Sequence, residues 1–151
     1  MKKLFSTLLA VLGFSVLMAQ SVTIPSGVQS AFLSKNKDVK AVWSTTNQNY
    51  VAKWDNGDKK ITSVYAKDET GILVRTETDV QMSELSTTVQ TSIKDRFLVE
   101  GSQYTYVRGF KVEGLANVAE GAEFETNNNG NKSKLVVFFD ATGAMVKREL
   151  N

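Results

Sequence analysis

The chain has 151 residues, 18 Lys plus Arg against 16 Asp plus Glu, and neither histidine nor cysteine. Without histidine it lacks the usual general base and the commonest metal ligand. Without cysteine it has no disulfide, thiol nucleophile or soft-metal site. Its basic residues form no stripe suited to phosphates beyond pairs such as Lys59-Lys60 and Lys147-Arg148, so no nucleic-acid partner is expected.

The chain opens with Lys2-Lys3, an apolar run from Leu4 to Met18, and Ala19-Gln20. This pattern predicts a secretory signal peptide cleaved near Ala19, hence a periplasmic or secreted product. The run is too short to span a bilayer comfortably, which takes about 20 residues. No second long apolar segment follows, so no membrane span is expected in the mature chain. Residues 20–151 would carry 16 basic and 16 acidic side chains. That length suits one domain with its own core.

From residue 24, Ile24-Pro25-Ser26-Gly27-Val28 opens a helix. Pro25 suits a first turn, and Val28, Ala31 and Phe32 share a face. Gly27 weakens it by about 1 kcal/mol relative to alanine. The helix is expected to end near Lys35 or Asn36. The period then changes to two. Val39, Ala41 and Trp43 alternate with Lys40, Val42 and Ser44, and Tyr50, Ala52 and Trp54 follow in the same way. Asn56-Gly57 predicts a tight hairpin. Lys60 to Ala66 and Ile72 to Thr78 complete four strands around a turn at Asp68 to Gly71.

The pattern then returns. Leu85, Val89, Ile93 and Phe97 form the stripe of a second helix. Tyr104 to Val112 is a strand, and Glu113 to Gly121 is a loose connection longer than its counterpart. Ala122 to Thr126, Lys134 to Phe139 and Ala144 to Leu150 are further strands. The segment Ser63–Val74, with Asp68-Glu69-Thr70-Gly71, recurs as Leu135–Val146, with Asp140-Ala141-Thr142-Gly143. Two Asp-x-Thr-Gly turns invite comparison with the paired Asp-Thr-Gly of aspartic proteases. The extra residue, Glu69 or Ala141, displaces the hydroxyl from the carboxylate, so the reading is a capped turn with glycine at positive φ.

Few residues suggest chemistry. Glu120, Glu123 and Glu125 near Asn127–Asn129 lack calcium-loop spacing and read as a solvated strand edge and turn. No metal, cofactor or catalytic residue is expected. The candidate binding residues are aromatic: Trp43, Tyr50, Trp54 and Tyr65 in the first unit, Tyr104 and Tyr106 in the second. Those on a sheet face left open by the helices would be natural anchors for a partner.

Ile24-Pro25-x-x-Val28-x-x-x-Phe32, Val42-Trp43, Tyr50-x-Ala52-x-Trp54, Asp68-x-x-Gly71 and Thr76-Glu77-Thr78, in that order, resemble the PepSY-like, beta-lactamase-inhibitor-like periplasmic proteins. The second unit keeps the helix stripe and Asp140-x-x-Gly143 but lacks the proline and the Val-Trp pair. The resemblance implies an α+β fold in which tandem repeats, each a helix plus four antiparallel strands, form one continuous antiparallel sheet with helices packed on one face. It implies export and no enzymatic activity. The chain lacks the disulfides of the true inhibitors, so no inhibitory residue transfers.

The expectation is a signal peptide (1–19) and a single domain (20–151) of two repeats, 20–80 and 81–151. Its function would be that of a non-enzymatic binding module for a periplasmic or cell-surface protein or peptide, with an inhibitor of a periplasmic or secreted hydrolase as the narrower version. The alternative is a carrier of an apolar or sugar ligand on the exposed sheet face.

Overall fold

The computed structural model of the chain describes residues 22–46, 48–128 and 130–150; the expected signal segment and its cleavage point at Ala19 lie outside them. The elements are α1 (Ser26–Lys35), β1 (Val42–Thr45), β2 (Asn49–Asn56), β3 (Lys59–Ala66) and β4 (Leu73–Val80). A 3₁₀ turn (Met82–Glu84) leads to α2 (Thr87–Phe97), β5 (Tyr104–Glu113), β6 (Glu120–Asn128), β7 (Asn131–Phe139) and β8 (Met145–Leu150). The strands form a single antiparallel sheet in sequence order, β1 to β8. Among the described residues no helix is long and apolar enough to cross a membrane.

Each helix begins where its sequence provides a start. Pro25 precedes α1, and the Gln29 side chain donates back to the Ile24 carbonyl at 3.0 Å. Ser86 caps α2 by accepting from the Val89 amide at 3.4 Å, and Lys94 and Arg96 occupy its last turn, where cations complement the dipole. Cap geometry delays α2 by two residues relative to the apolar stripe, so Leu85 sits in the extended approach yet still packs into the core.

The buried stripe of α1 (Val28, Phe32) clusters with Ile24, Ala52 and Tyr65, flanked by Trp43, Tyr50, Trp54 and Leu73. That of α2 (Val89, Ile93, Phe97) clusters with Leu85 and with Ala122, Phe124, Leu135, Val137 and Phe139. A third cluster contains no helix residue. It joins Phe110, Val112, Val136 and Phe138, with Leu115 and Val118 of the β5–β6 connection packed against it. The expected loose connection at Glu113–Gly121 is therefore shorter, because β6 starts at Glu120, and it covers apolar side chains.

Both Asp-x-Thr-Gly turns are closed as the sequence predicts. Asp68 Oδ1 accepts the Thr70 amide (2.9 Å) and hydroxyl (2.6 Å); Asp140 Oδ1 accepts those of Thr142 (2.9 and 2.7 Å). Gly71 and Gly143 take φ of 74° and 83°. Each turn also touches a helix. Gly71 abuts Gly27 and Ala31; Gly143 abuts Thr88, and its carbonyl accepts from Ser92 Oγ at 2.7 Å. Gly27, a weak helix residue by propensity, is there for space: a β-carbon on it would lie 2.1 Å from the Glu69 carbonyl oxygen.

Candidate functional site

Side chains alternate across a sheet, and the register sorts the aromatic candidates. Trp43 pairs with Ala52, Tyr50 with Tyr65, and Trp54 with Ile61. Trp43, Tyr50, Trp54 and Tyr65 all belong to the α1 cluster: Tyr65 is buried, and Trp43, Tyr50 and Trp54 are half-buried. Phe32 meets the Trp43 and Trp54 rings edge-on at 5.4 and 5.2 Å. Tyr104 and Tyr106 are half-buried in the α2 cluster, around Phe124. The six candidates thus form two groups, one with each helix, and not one surface.

A bulge in β5 between Tyr106 and Arg108 reverses the alternation. Before it, Tyr104 and Tyr106 face the α2 cluster. After it, Arg108, Phe110 and Val112 face the other way, with the helix-free cluster. On the side of this cluster lies a set of charged residues that sequence reading missed.

Arg108 is its centre. Its Nη2 donates to Glu77 Oε2 at 2.7 Å, its Nε donates to Glu123 Oε2 at 2.9 Å, and its Nη1 bonds Asp79. Burial opposes the guanidinium charge, but Glu77 and Asp79 outweigh it and raise its pKa further. Glu77 also accepts from Arg75 Nε at 2.8 Å, and Glu123 from Lys134 at 2.9 Å. Arg75 reaches on to Glu149, with contacts of 3.3 and 3.1 Å, and Lys147 pairs with Glu149 at 2.8 Å. Four cations thus meet four carboxylates. The platform beneath is aromatic: Arg75 lies 4.9 Å from the Phe138 ring centroid and Arg108 4.6 Å from that of Phe110. The Phe110 ring lies across its partner Gly121, where a β-carbon would come within 2.4 Å of it.

Glu120 and Glu123, read from sequence as a solvated edge, are 4% and 7% exposed. They point to opposite sides of β6. Burial pushes both carboxyls up, but their bonds hold them below the ordinary range: Lys111 and Ser86 for Glu120, Lys134 and Arg108 for Glu123. Glu120 accepts the amide and hydroxyl of Ser86, tying β6 to the start of α2. Glu125 is exposed. Among the described residues no group of three or more Asp or Glu is arranged to hold a metal ion.

The sheet is strongly curled. In a flat sheet four strand spacings would separate β4 from β8 by about 19 Å, yet Arg75 of β4 contacts Glu149 of β8 at 3.1 Å. Ser44 and Val51 from the first two strands share a cavity of ≈ 220 Å³ with Val136 and Glu149 from the last two. An adjoining groove of ≈ 530 Å³ runs past Lys40, Val42, Lys53 and Thr62 to Arg108 and Lys134. The side chains lining both come from the helix-free set, with Trp54 and Ile61 at the margin.

This architecture has solved counterparts. It is shared with proteins of Bacteroides, one of them described as BLIP-like. A BLIP-like protein from Bacteroides fragilis superposes with a TM-score of 0.54 at 14% identity, covering 86% of this chain and 89% of that one. A Bacteroides eggerthii protein provisionally described as periplasmic gives 0.59 at 15%, covering 85% and 90%. A DUF2874 family protein from Bacteroides ovatus gives 0.57 at 19%, covering 85% and 89%. No family model matches the chain, and no curated protein matches it. At these identities the likeness concerns the fold.

Proposed function

We propose that the chain is an exported, non-enzymatic binding module that receives a protein or peptide in the trough on the helix-free side of its sheet. The observation that carries this is the trough itself: a curled sheet side without a helix, with its charges ordered in pairs and its cavity open at Val42, Lys53 and Lys134. Such ordering suits binding, since a preorganised surface loses little freedom when a partner docks. The periplasmic description of one structural neighbour and the BLIP-like description of another support export and a binding role. An inhibitor of a periplasmic or secreted hydrolase is the narrower form of the same reading.

The reading includes a signal peptide removed near Ala19, with residues 20–151 forming one domain. It also includes a duplication of helix plus four strands. The element order and the equivalent contacts of Gly71 with α1 and Gly143 with α2 support two copies. The register from Ala52 of the α1 cluster through Ser63 and Thr76, and on from Val80 through Gly109 to Ala122 of the α2 cluster, supports both helices lying on one side. The aromatic residues first expected to bind then serve mainly as helix-side core, and the binding surface is the opposite side.

The test is capture from periplasmic extract with three forms of the full chain. Wild type and Lys94→Glu, an exposed change on α2, are expected to retain the same partner. Ser44→Arg, which puts a bulky side chain at an exposed position lining the trough, is expected to lose it. Equal capture by all three would place the partner elsewhere and refute the reading.

A further inference from the structure

Charges on the helix-free side are sorted by depth. The carboxylates of the network lie low: the side chains of Glu77, Glu123, Glu149 and Asp79 are 3%, 9%, 24% and 25% exposed, and each is bonded to a cation. The lysines lie high. Lys134 and Lys147 are 56% and 48% exposed at one margin. Lys40, Lys53 and Lys60 are exposed at the other, lining the ≈ 530 Å³ groove. Among the described residues these last three form no ion pair. The register partner of Lys60, Asp55, is the one exposed carboxylate lining that groove. Lys134 and Lys147 complete the neutrality of the network, so the charge left over at the groove is that of Lys40, Lys53 and Lys60 against Asp55.

Resting on the binding reading above, we propose that the groove's partner is an acidic polypeptide segment whose Asp or Glu side chains pair with Lys40, Lys53 and Lys60. Three features select this occupant. The unpaired lysines supply charge complementarity, which sets association rate and partner choice. Val42, 76% exposed between Lys40 and Lys53, offers an apolar contact that a peptide side chain can use. The exposed carboxylate of Asp55 beside Lys60 interrupts the positive rim, which suits side chains spaced along a peptide better than the unbroken charge of a nucleic acid.

The experiment uses the full chain, a random dodecapeptide library and oligo(dT)₁₂. Selection at about 0.15 M salt, where the screening length is about 8 Å, is expected to enrich Asp- and Glu-rich peptides. An enriched peptide is expected to bind Lys53→Glu/Lys60→Glu roughly tenfold more weakly than wild type. It is expected to bind Lys94→Glu unchanged. Both variants alter exposed residues, and matched circular dichroism spectra establish that they fold. Four results overturn the proposal. Enriched neutral or basic peptides that Ser44→Arg no longer binds would leave the binding surface standing and remove the acidic preference. Equal weakening by Lys94→Glu would reduce the effect to net charge. Tighter binding of oligo(dT)₁₂ than of any peptide would replace the polypeptide partner. No enrichment at all would remove the acidic preference and the peptide-binding reading together.

Discussion

Replacing Arg108 with methionine isolates the centre of the charged network. Methionine approximates the aliphatic stem that lies over Phe110, so much of the packing survives. What disappears is the cation shared by Glu77, Asp79 and Glu123. Removing one partner of a buried ion pair costs about 3–5 kcal/mol. Here Glu77 retains Arg75 at 2.8 Å and Glu123 retains Lys134 at 2.9 Å, so the lower end, about 3 kcal/mol, is expected. For a domain of this size that lowers Tm by roughly 10 °C. The sign of the pH effect separates charge from packing. In the wild type, Arg108 helps hold the Glu123 carboxyl below its ordinary range. Without it, burial pushes the carboxyl up, and protonation on acidification relieves the uncompensated charge. The difference between wild type and Arg108→Met, measured by urea unfolding, is therefore expected to shrink as the pH falls from 7 towards 4. A pH-independent difference would show that lost packing, not stranded carboxylates, sets the penalty.

Gly27→Ala forces a β-carbon to 2.1 Å from the Glu69 carbonyl, so about 1–3 kcal/mol should be lost on thermal unfolding; Gly57→Ala, with open space around it but φ of +66°, should lose about 1–2 kcal/mol through backbone strain alone. Glu120→Ala strands the Ser86 amide and hydroxyl at the start of α2, and about 1–3 kcal/mol is expected from urea unfolding. With no histidine to titrate between pH 5 and 8, stability should be flat there. Glu120, Glu123 and Glu149 are held below their ordinary value near 4.5 against the upward push of burial, so their contribution is full above that pH and is lost as the pH falls through the lowered values. A Tm constant from pH 5.5 to 8 and falling below about pH 4.5 would agree; a step near pH 6.5 would not.

Most elements were legible because they obey local rules. The i, i+4 stripe from Leu85 to Phe97 marks α2, and alternation from Tyr50 to Trp54 marks β2. The two Asp-x-Thr-Gly segments are turns in which one carboxylate oxygen accepts an amide and a hydroxyl two residues on. Gly27 misled in its effect on the helix, because its role is set by a carbonyl more than 40 residues away. The trough was illegible for a related reason. Arg75, Glu77 and Asp79 alternate along β4 as a solvated strand face would, yet Arg75 and Glu77 are buried, with Glu149 of β8 brought against Arg75 by the curl. The β5 bulge hid the remainder: a strict period of two would place Tyr106 and Arg108 on the same side. The aromatic residues attracted attention as anchors, yet the sequence could not say which side they take.

Why the trough is ionic is a question of what else could fill it. A buried ion pair can often be replaced by well-packed apolar residues at no loss of stability, so Arg75, Arg108 and their partners are not needed merely to hold the strands together. Where this side of the sheet is purely apolar, at Phe110, Val112, Val136 and Phe138, the β5–β6 connection covers it with Leu115 and Val118. Extending that apolar floor towards β1 without a cover would create an exposed patch of the kind that drives association. Paired charges resolve the conflict. They order the floor through directional bonds to Glu77 and Glu123, and they leave the rim at Lys40, Lys53 and Lys134 open to water. The trough can thus stay uncovered in the free protein and still present fixed geometry to a partner.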